Sequence, residues 1–124
     1  MKLKFLSLIN QNGESNKIQF EVECKLNVNG KFTSLEFLDP QSKEKNLIEI
    51  SEEEINIFSS SASIFLKYNQ KINFDYEIEN QILPLSSIWT NKEFLKNKYN
   101  FTYSLSSSDF KIGTYQISIE IIEE

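Results

Sequence analysis

Residues 17 to 27 read Lys-Ile-Gln-Phe-Glu-Val-Glu-Cys-Lys-Leu-Asn, and apolar and polar residues alternate there without exception. Neighbouring side chains on a strand point to opposite faces. Ile18, Phe20, Val22, Cys24 and Leu26 therefore share one face, and Lys17, Gln19, Glu21, Glu23, Lys25 and Asn27 share the other. The segment is a half-buried β-strand, and most of the chain repeats its texture. Residues 2–9, 32–38, 46–50, 54–58, 62–68, 71–78, 81–90, 98–106 and 114–122 all carry strand-like patterns rich in Ile, Phe and Tyr, residues that pack well on a pleated surface.

Turn chemistry separates these segments. Asn12-Gly13 and Asn29-Gly30 are strong hairpin signals, Asp39-Pro40 ends the 32–38 segment, and Asn69-Gln70 and Glu79-Asn80 mark further turns. Ser51 followed by Glu54 matches a helical capping box. Ile55 and Ile57 nevertheless alternate, which points to a tight turn around Glu52-Glu53 and a strand over 54–58. Pro84 cannot donate to a ladder, so its strand is an edge or is bulged there. Residues 91–97 are expected to hold one helical turn or a loop. No 3.6-residue apolar period runs long enough for a substantial helix. The pattern predicts one all-β domain over 1–124: an antiparallel up-and-down barrel of about eight to nine strands, with a sandwich as the other closure.

Charge and residue usage exclude several functions. The chain has no His and no Arg, 13 Lys, and a net charge of −5. Nucleic-acid binding draws most of its affinity from basic groups on phosphates, so no nucleic-acid partner is expected. Without His there is no Ser–His–Asp triad and no His-ligated metal. Cys24 is the only cysteine, so no intramolecular disulfide forms, and its place on an apolar strand face suits a small buried hydrophobe. No cofactor or metal is expected. The opening Met1–Asn10 has too short an apolar core and too poor a cleavage site for an export signal, and no stretch is long enough to cross a bilayer. A cytoplasmic protein without a membrane partner is the expectation. Abundant Lys, Asn, Ile and Phe with a single Ala are the residues of AT-rich codons, implying a low-GC bacterial genome.

From Ile50 onward the pattern resembles the YwiB-like proteins, a bacterial family of unknown function. The resemblance rests on the stretch 50–70, on Ile-Glu-Asn-Gln-Ile-Leu-Pro-Leu-Ser-Ser-Ile-Trp-Thr-Asn at 78–91, on 100–107 with Tyr103, and on Tyr-Gln-Ile-Ser-Ile-Glu-Ile at 115–121. It covers about the last 75 residues and implies a calycin-like antiparallel barrel, distantly related in architecture to lipocalins. Ser59 and Ser61 stand where the family carries an Arg and, two residues later, a Gly. Asn80 stands where it carries Gly. No role of that Arg carries over.

No constellation for chemistry is legible. Glu52-Glu53-Glu54 on extended backbone point to alternating sides and cannot converge on a cation. Asp75, Glu77 and Glu79, like Glu21 and Glu23, are the polar outsides of strands. The serines at 59–61 and 106–108 read as turn chemistry. The chain is therefore not expected to be an enzyme. The open question is whether the barrel interior is filled or holds a ligand. Phe20, Phe74, Tyr76, Tyr99, Phe101, Tyr103, Tyr115 and many Ile are expected inside, with no Gly among them, and packing to native density favours a filled core. Buried tyrosine hydroxyls need partners and argue for polar space inside. If a cavity exists, Phe20, Phe101, Tyr103 and Tyr115 are the expected liners, with Trp89 either at its mouth or covering the outside of the sheet, and the ligand is small and apolar or amphipathic. An interior void no larger than one or two waters would exclude it. The other class is a solid barrel acting as an interaction or structural protein. Self-association is then motivated by the Pro84 edge and by strand 2–9, which is apolar on both faces.

Overall fold

The computed structural model describes residues 1–59, 62–78, 80–108 and 110–123, and every side chain among them except that of Ile78. The expectations placed on Ser60, Ser61 and Glu79 lie outside the described residues. The strands are β1 (Lys2–Gln11), β2 (Glu14–Asn29), β3 (Phe32–Leu38), β4 (Lys45–Ile50), β5 (Glu54–Phe58), β6 (Ser63–Lys67), β7 (Lys71–Ile78), β8 (Gln81–Leu95), β9 (Lys98–Ser107) and β10 (Phe110–Ile122). They form one antiparallel sheet in the order β6-β5-β4-β3-β2-β1-β10-β9-β8-β7. Every strand lies beside its sequence neighbour, and β10 returns to pair with β1, Leu3 opposite Ile121 and Phe5 opposite Ile119. The all-β, up-and-down barrel is as expected. The count is ten rather than eight to nine: each of the ten strand-like segments of the sequence, the five-residue β5 and β6 included, forms a strand of its own.

The barrel is nearly closed, with its seam between β6 and β7. No ladder joins these two strands among the described residues; a single bridge, Lys67 with Gln70, closes the turn between them. The seam is held instead from β8: the Ser87 hydroxyl donates to the Phe65 carbonyl at 2.6 Å, and the Asn69 N–H donates to the Trp89 carbonyl at 2.8 Å.

Hairpins follow the sequence where the left-handed backbone is needed. Asn12 and Gly13 have φ of 51° and 79°, as a two-residue turn matching strand twist requires. The next turn centres on Gly30-Lys31 rather than Asn29-Gly30, with Gly30 alone at positive φ (60°), because Asn29 still pairs with Phe32. The Ser51–Glu54 segment is a tight turn. The Ser51 hydroxyl donates to the Glu54 carbonyl at 2.8 Å and accepts the Glu54 N–H at 2.9 Å.

Residues 91–95 are neither helical nor loop; they continue β8. The register shifts between Trp89 and Asn91, leaving Thr90 as an extra residue. Such a bulge inverts the facing of everything beyond it. Leu85, Ser87 and Trp89 point inward before it, and Lys92 and Phe94 after it, so no single alternation runs through the strand. Pro84 sits opposite Asp75 of β7, just before pairing with β9 begins at Ser86, so its missing N–H faces no ladder partner.

The buried apolar side chains form one connected cluster. Leu3, Leu35, Ile55, Trp89 and Ile119 are fully buried, and Phe101 and Ile117 belong to the same cluster, against which Phe20 and Phe74 pack. The segment 2–9, read as a strand, lies in β1, which is paired on both sides. Among the described residues no helix is long and apolar enough to cross a membrane.

Candidate ligand cavity

The two ends of the barrel differ. One is solid. Trp89 is fully buried, and its indole N–H donates to the Asn91 carbonyl at 2.8 Å. Tyr68, Phe94 and Phe101 pack edge-on or tilted around it, with ring centroids 5.1–6.3 Å away. Lys92, brought to the inner face by the Thr90 bulge, closes this end. Its ammonium lies 4.5 Å over the Tyr68 ring and donates to the carbonyl and the carboxylate of Glu52.

The other end is hollow. A cavity of about 270 Å³ lies among Phe5, Ser7, Phe20, Phe37, Ile57, Tyr103 and Tyr115, with Asp39 and Asn46 at its rim. At about 30 Å³ per liquid water that is room for roughly nine waters, well beyond one or two. The filled core expected from the sequence therefore describes only half of the barrel. Larger hollows exist, but they are grooves over outward residues: one is bordered by Lys71, Asn73, Asp75 and Ser108, another by Lys4, Gln19, Glu21 and Glu120.

Two stacked aromatic pairs wall the cavity. Phe5 and Phe20 stack at 4.9 Å and 14°, as cross-strand partners on β1 and β2. Tyr103 and Tyr115 stack at 4.9 Å and 19°, as cross-strand partners on β9 and β10. The Tyr115 hydroxyl accepts a hydrogen bond from Gln11 Nε2 at 3.0 Å. Tyr103 is only 5% exposed, yet among the described residues no protein group bonds to its hydroxyl, and no fully enclosed polar side-chain atom is left unpaired. The hydroxyl must therefore open on the cavity. Burial pushes the Tyr103 phenol well above the ordinary tyrosine range, with Tyr115 and Tyr76 adding to the effect. Ser7, on the inward register of β1 and 4% exposed, presents a second hydroxyl of the same kind.

Of the residues singled out in the sequence, Phe20, Tyr103 and Tyr115 line the cavity. Phe101 lies one step deeper, stacked on Tyr103 at 6.3 Å, and Trp89 lies in the closed end rather than at the mouth. Ser7 was legible as the one polar residue in the inward series Leu3, Phe5, Ser7, Ile9. Asp39 and Asn46 sit at strand ends, where alternation carries no information. The expectation that no glycine faces inward is corrected by Gly113. The register shift between Lys111 and Gly113 turns it toward the interior, where a Cβ would meet Gln11 Cγ at 2.8 Å and the Tyr115 hydroxyl at 3.3 Å. Its missing side chain makes room for the Gln11–Tyr115 bond.

Elsewhere the chain offers little chemistry. No cluster of three metal-ligating residues occurs among the described residues. Burial pushes the Cys24 thiol up, opposed by the N-terminal ammonium and aided by Glu23, so it is not activated toward a thiolate.

No family model matches the chain, and no curated protein does. Among solved structures, the crystal structure of the ywiB protein from Bacillus subtilis matches with a TM-score of 0.70, over 98% of this chain and 91% of that one, at 16% identity. The chain has a YwiB-like fold. The match spans 98% of the chain and so extends to the residues before Ile50, which the sequence resemblance did not reach. At this identity the YwiB-like likeness is one of fold.

Proposed function

We propose that this YwiB-like barrel is a non-catalytic binding module that holds one small apolar or amphipathic molecule in its open end. The observation that carries the proposal is a cavity of about 270 Å³ walled by aromatic side chains, on which the Tyr103 hydroxyl opens without a protein partner among the described residues. A hydroxyl left free beside such a space can bond to a guest there while the apolar walls bury the rest of it. Small barrels do hold single ligands this way, walled by apolar side chains with a few polar groups to orient the guest. The calycin-like relation implied by the sequence resemblance supports the same reading. A cytoplasmic location is part of this reading.

The test is titration of the isotope-labelled protein with toluene and with acetophenone, followed by amide NMR. The proposal expects shifts at Ser7, Phe20, Tyr103 and Tyr115 and none at Trp89 or Lys92. If neither compound moves the cavity amides, the reading is wrong.

A second reading, self-association, has its own observation. Among the described residues β7 pairs only with β8, and its sequence is self-complementary. Paired antiparallel with a second copy about Phe74, Lys71 would oppose Glu77 twice, Ile72 would oppose Tyr76, and Phe74 would oppose itself. Cross-strand pairs of opposite charge and of apolar groups stabilise a sheet. Light scattering that finds a strict monomer at high concentration would exclude this reading.

A further inference from the structure

We infer that the cavity selects an uncharged, ring-sized molecule carrying a hydrogen-bond-accepting oxygen, of the aryl ketone or ester type, and rejects carboxylates. This inference rests on the ligand-binding reading above and deepens it. Its shape argument comes from the walls. Phe20, Phe5, Tyr115 and Tyr103 follow one another on four adjacent strands, β2, β1, β10 and β9, so an aromatic guest meets a continuous aromatic wall and gains ring contacts as well as burial.

The polar argument comes from counting donors. Tyr103, Ser7 and Tyr115 each bring a hydroxyl to a mostly apolar lining, and the Tyr115 oxygen that accepts from Gln11 still leaves its own O–H to donate. These O–H donors suit an accepting oxygen on the guest. The charge argument comes from the rim. Among the described lining residues there is no Lys, and the one acidic side chain is that of Asp39. An unpaired carboxylate taken into such a space loses far more hydration than a ketone does, and Asp39 repels it at the entrance. A cation gains little in return, because Asp39 Oδ1 already accepts the N–H groups of Gln41 and Ser42 at 2.8 and 3.1 Å.

The experiment compares acetophenone, toluene, benzoate and benzylamine by calorimetry or amide NMR at pH 7.5, on the wild type and on Tyr103→Phe. Acetophenone is expected to bind more tightly than the other three. Tyr103→Phe, which keeps the stacked ring, is expected to weaken acetophenone about three- to tenfold, the worth of one hydrogen bond, and to leave toluene unchanged. Asp39→Asn is expected to raise benzoate binding while sparing acetophenone, and it keeps the test open should Tyr103→Phe fail to fold. Benzoate or benzylamine binding as tightly as acetophenone would overturn the inference, as would an acetophenone affinity that ignores Tyr103→Phe. Those results would leave the cavity a binding site of another class. Failure of all four compounds would instead overturn the ligand-binding reading itself.

Discussion

Tyr103 and Tyr115 face each other across β9 and β10 with their rings 4.9 Å apart, yet only Tyr115 has a protein partner for its hydroxyl. The pair thus divides one chemistry into two tasks. Tyr115 is tied to Gln11 and braces the wall. Tyr103 stays available to whatever enters the cavity.

This division makes alkaline stability a readout of the Tyr103 environment. Burial raises its phenol above the ordinary value of 10.0, so the folded chain keeps the proton where the unfolded chain releases it. Above pH 10 the unfolded state therefore binds fewer protons, and stability falls as pH rises, by about 1.4 kcal/mol per pH unit until the folded phenol ionises. Urea denaturation at pH 8 and pH 11 should show a smaller alkaline loss for Tyr103→Phe than for the wild type. Equal losses would mean that Tyr103 meets water freely.

Gly113→Ala should destabilise the barrel by about 1–3 kcal/mol, the usual cost of overpacking. The cause is steric, since the new methyl would meet Gln11 Cγ at 2.8 Å and the Asn10 carbonyl at 3.0 Å. Adding Gln11→Ala removes the first contact but not the second. A double-mutant cycle should therefore show partial rescue, with thermal unfolding as the measurement. Strict additivity would show that Gly113 and Gln11 do not share that space.

These sites mark where the sequence ceases to be legible. The alternation of Ile18 to Leu26 and of Tyr99 to Leu105 reports the barrel directly, because a strand pointed the wrong way would bury Lys and Glu. Phe20, Tyr103 and Tyr115 follow from the same parity. Parity fails at an inserted residue. Thr90 and Ile112 each add one, and beyond them Lys92 and Gly113 face inward against the pattern upstream. The hollow end was illegible for a different reason. Alternation tells which side chains point in, but not how far strands splay at their ends, and that spacing decides whether Phe20 and Tyr103 touch or leave a gap.

Lys92 offers a direct test of the closed end. Its ammonium is held over Tyr68, lies 5.7 Å from the Trp89 ring centroid, and bonds to the Glu52 carbonyl. Such a partly buried cation over aromatic faces contributes about 1–2 kcal/mol, and its methylenes contribute packing besides. Lys92→Ala should lower stability by about 2 kcal/mol in urea denaturation and Lys92→Met by about half that, because Met restores the stem but not the charge. Wild-type stability in Lys92→Met would assign the whole contribution to packing.

The β7 edge can be tested by reversing its charges. In the antiparallel register centred on Phe74, Lys71 of each copy opposes Glu77 of the other, and both are exposed. Glu77→Lys would place two like-charge pairs across that junction, which destabilises a sheet pairing rather than merely weakening it. Lys71→Glu combined with Glu77→Lys restores opposite charges with their positions exchanged. If copies meet through this edge, sedimentation at low salt should show dimer in the wild type, monomer in the single variant and dimer again in the double. The barrel itself should not change, because neither side chain takes part in the core, and the thermal midpoint of the monomer serves as the control. A dimer that survives Glu77→Lys would have to be built on another surface, such as Leu6 and Leu8 on the outer face of β1.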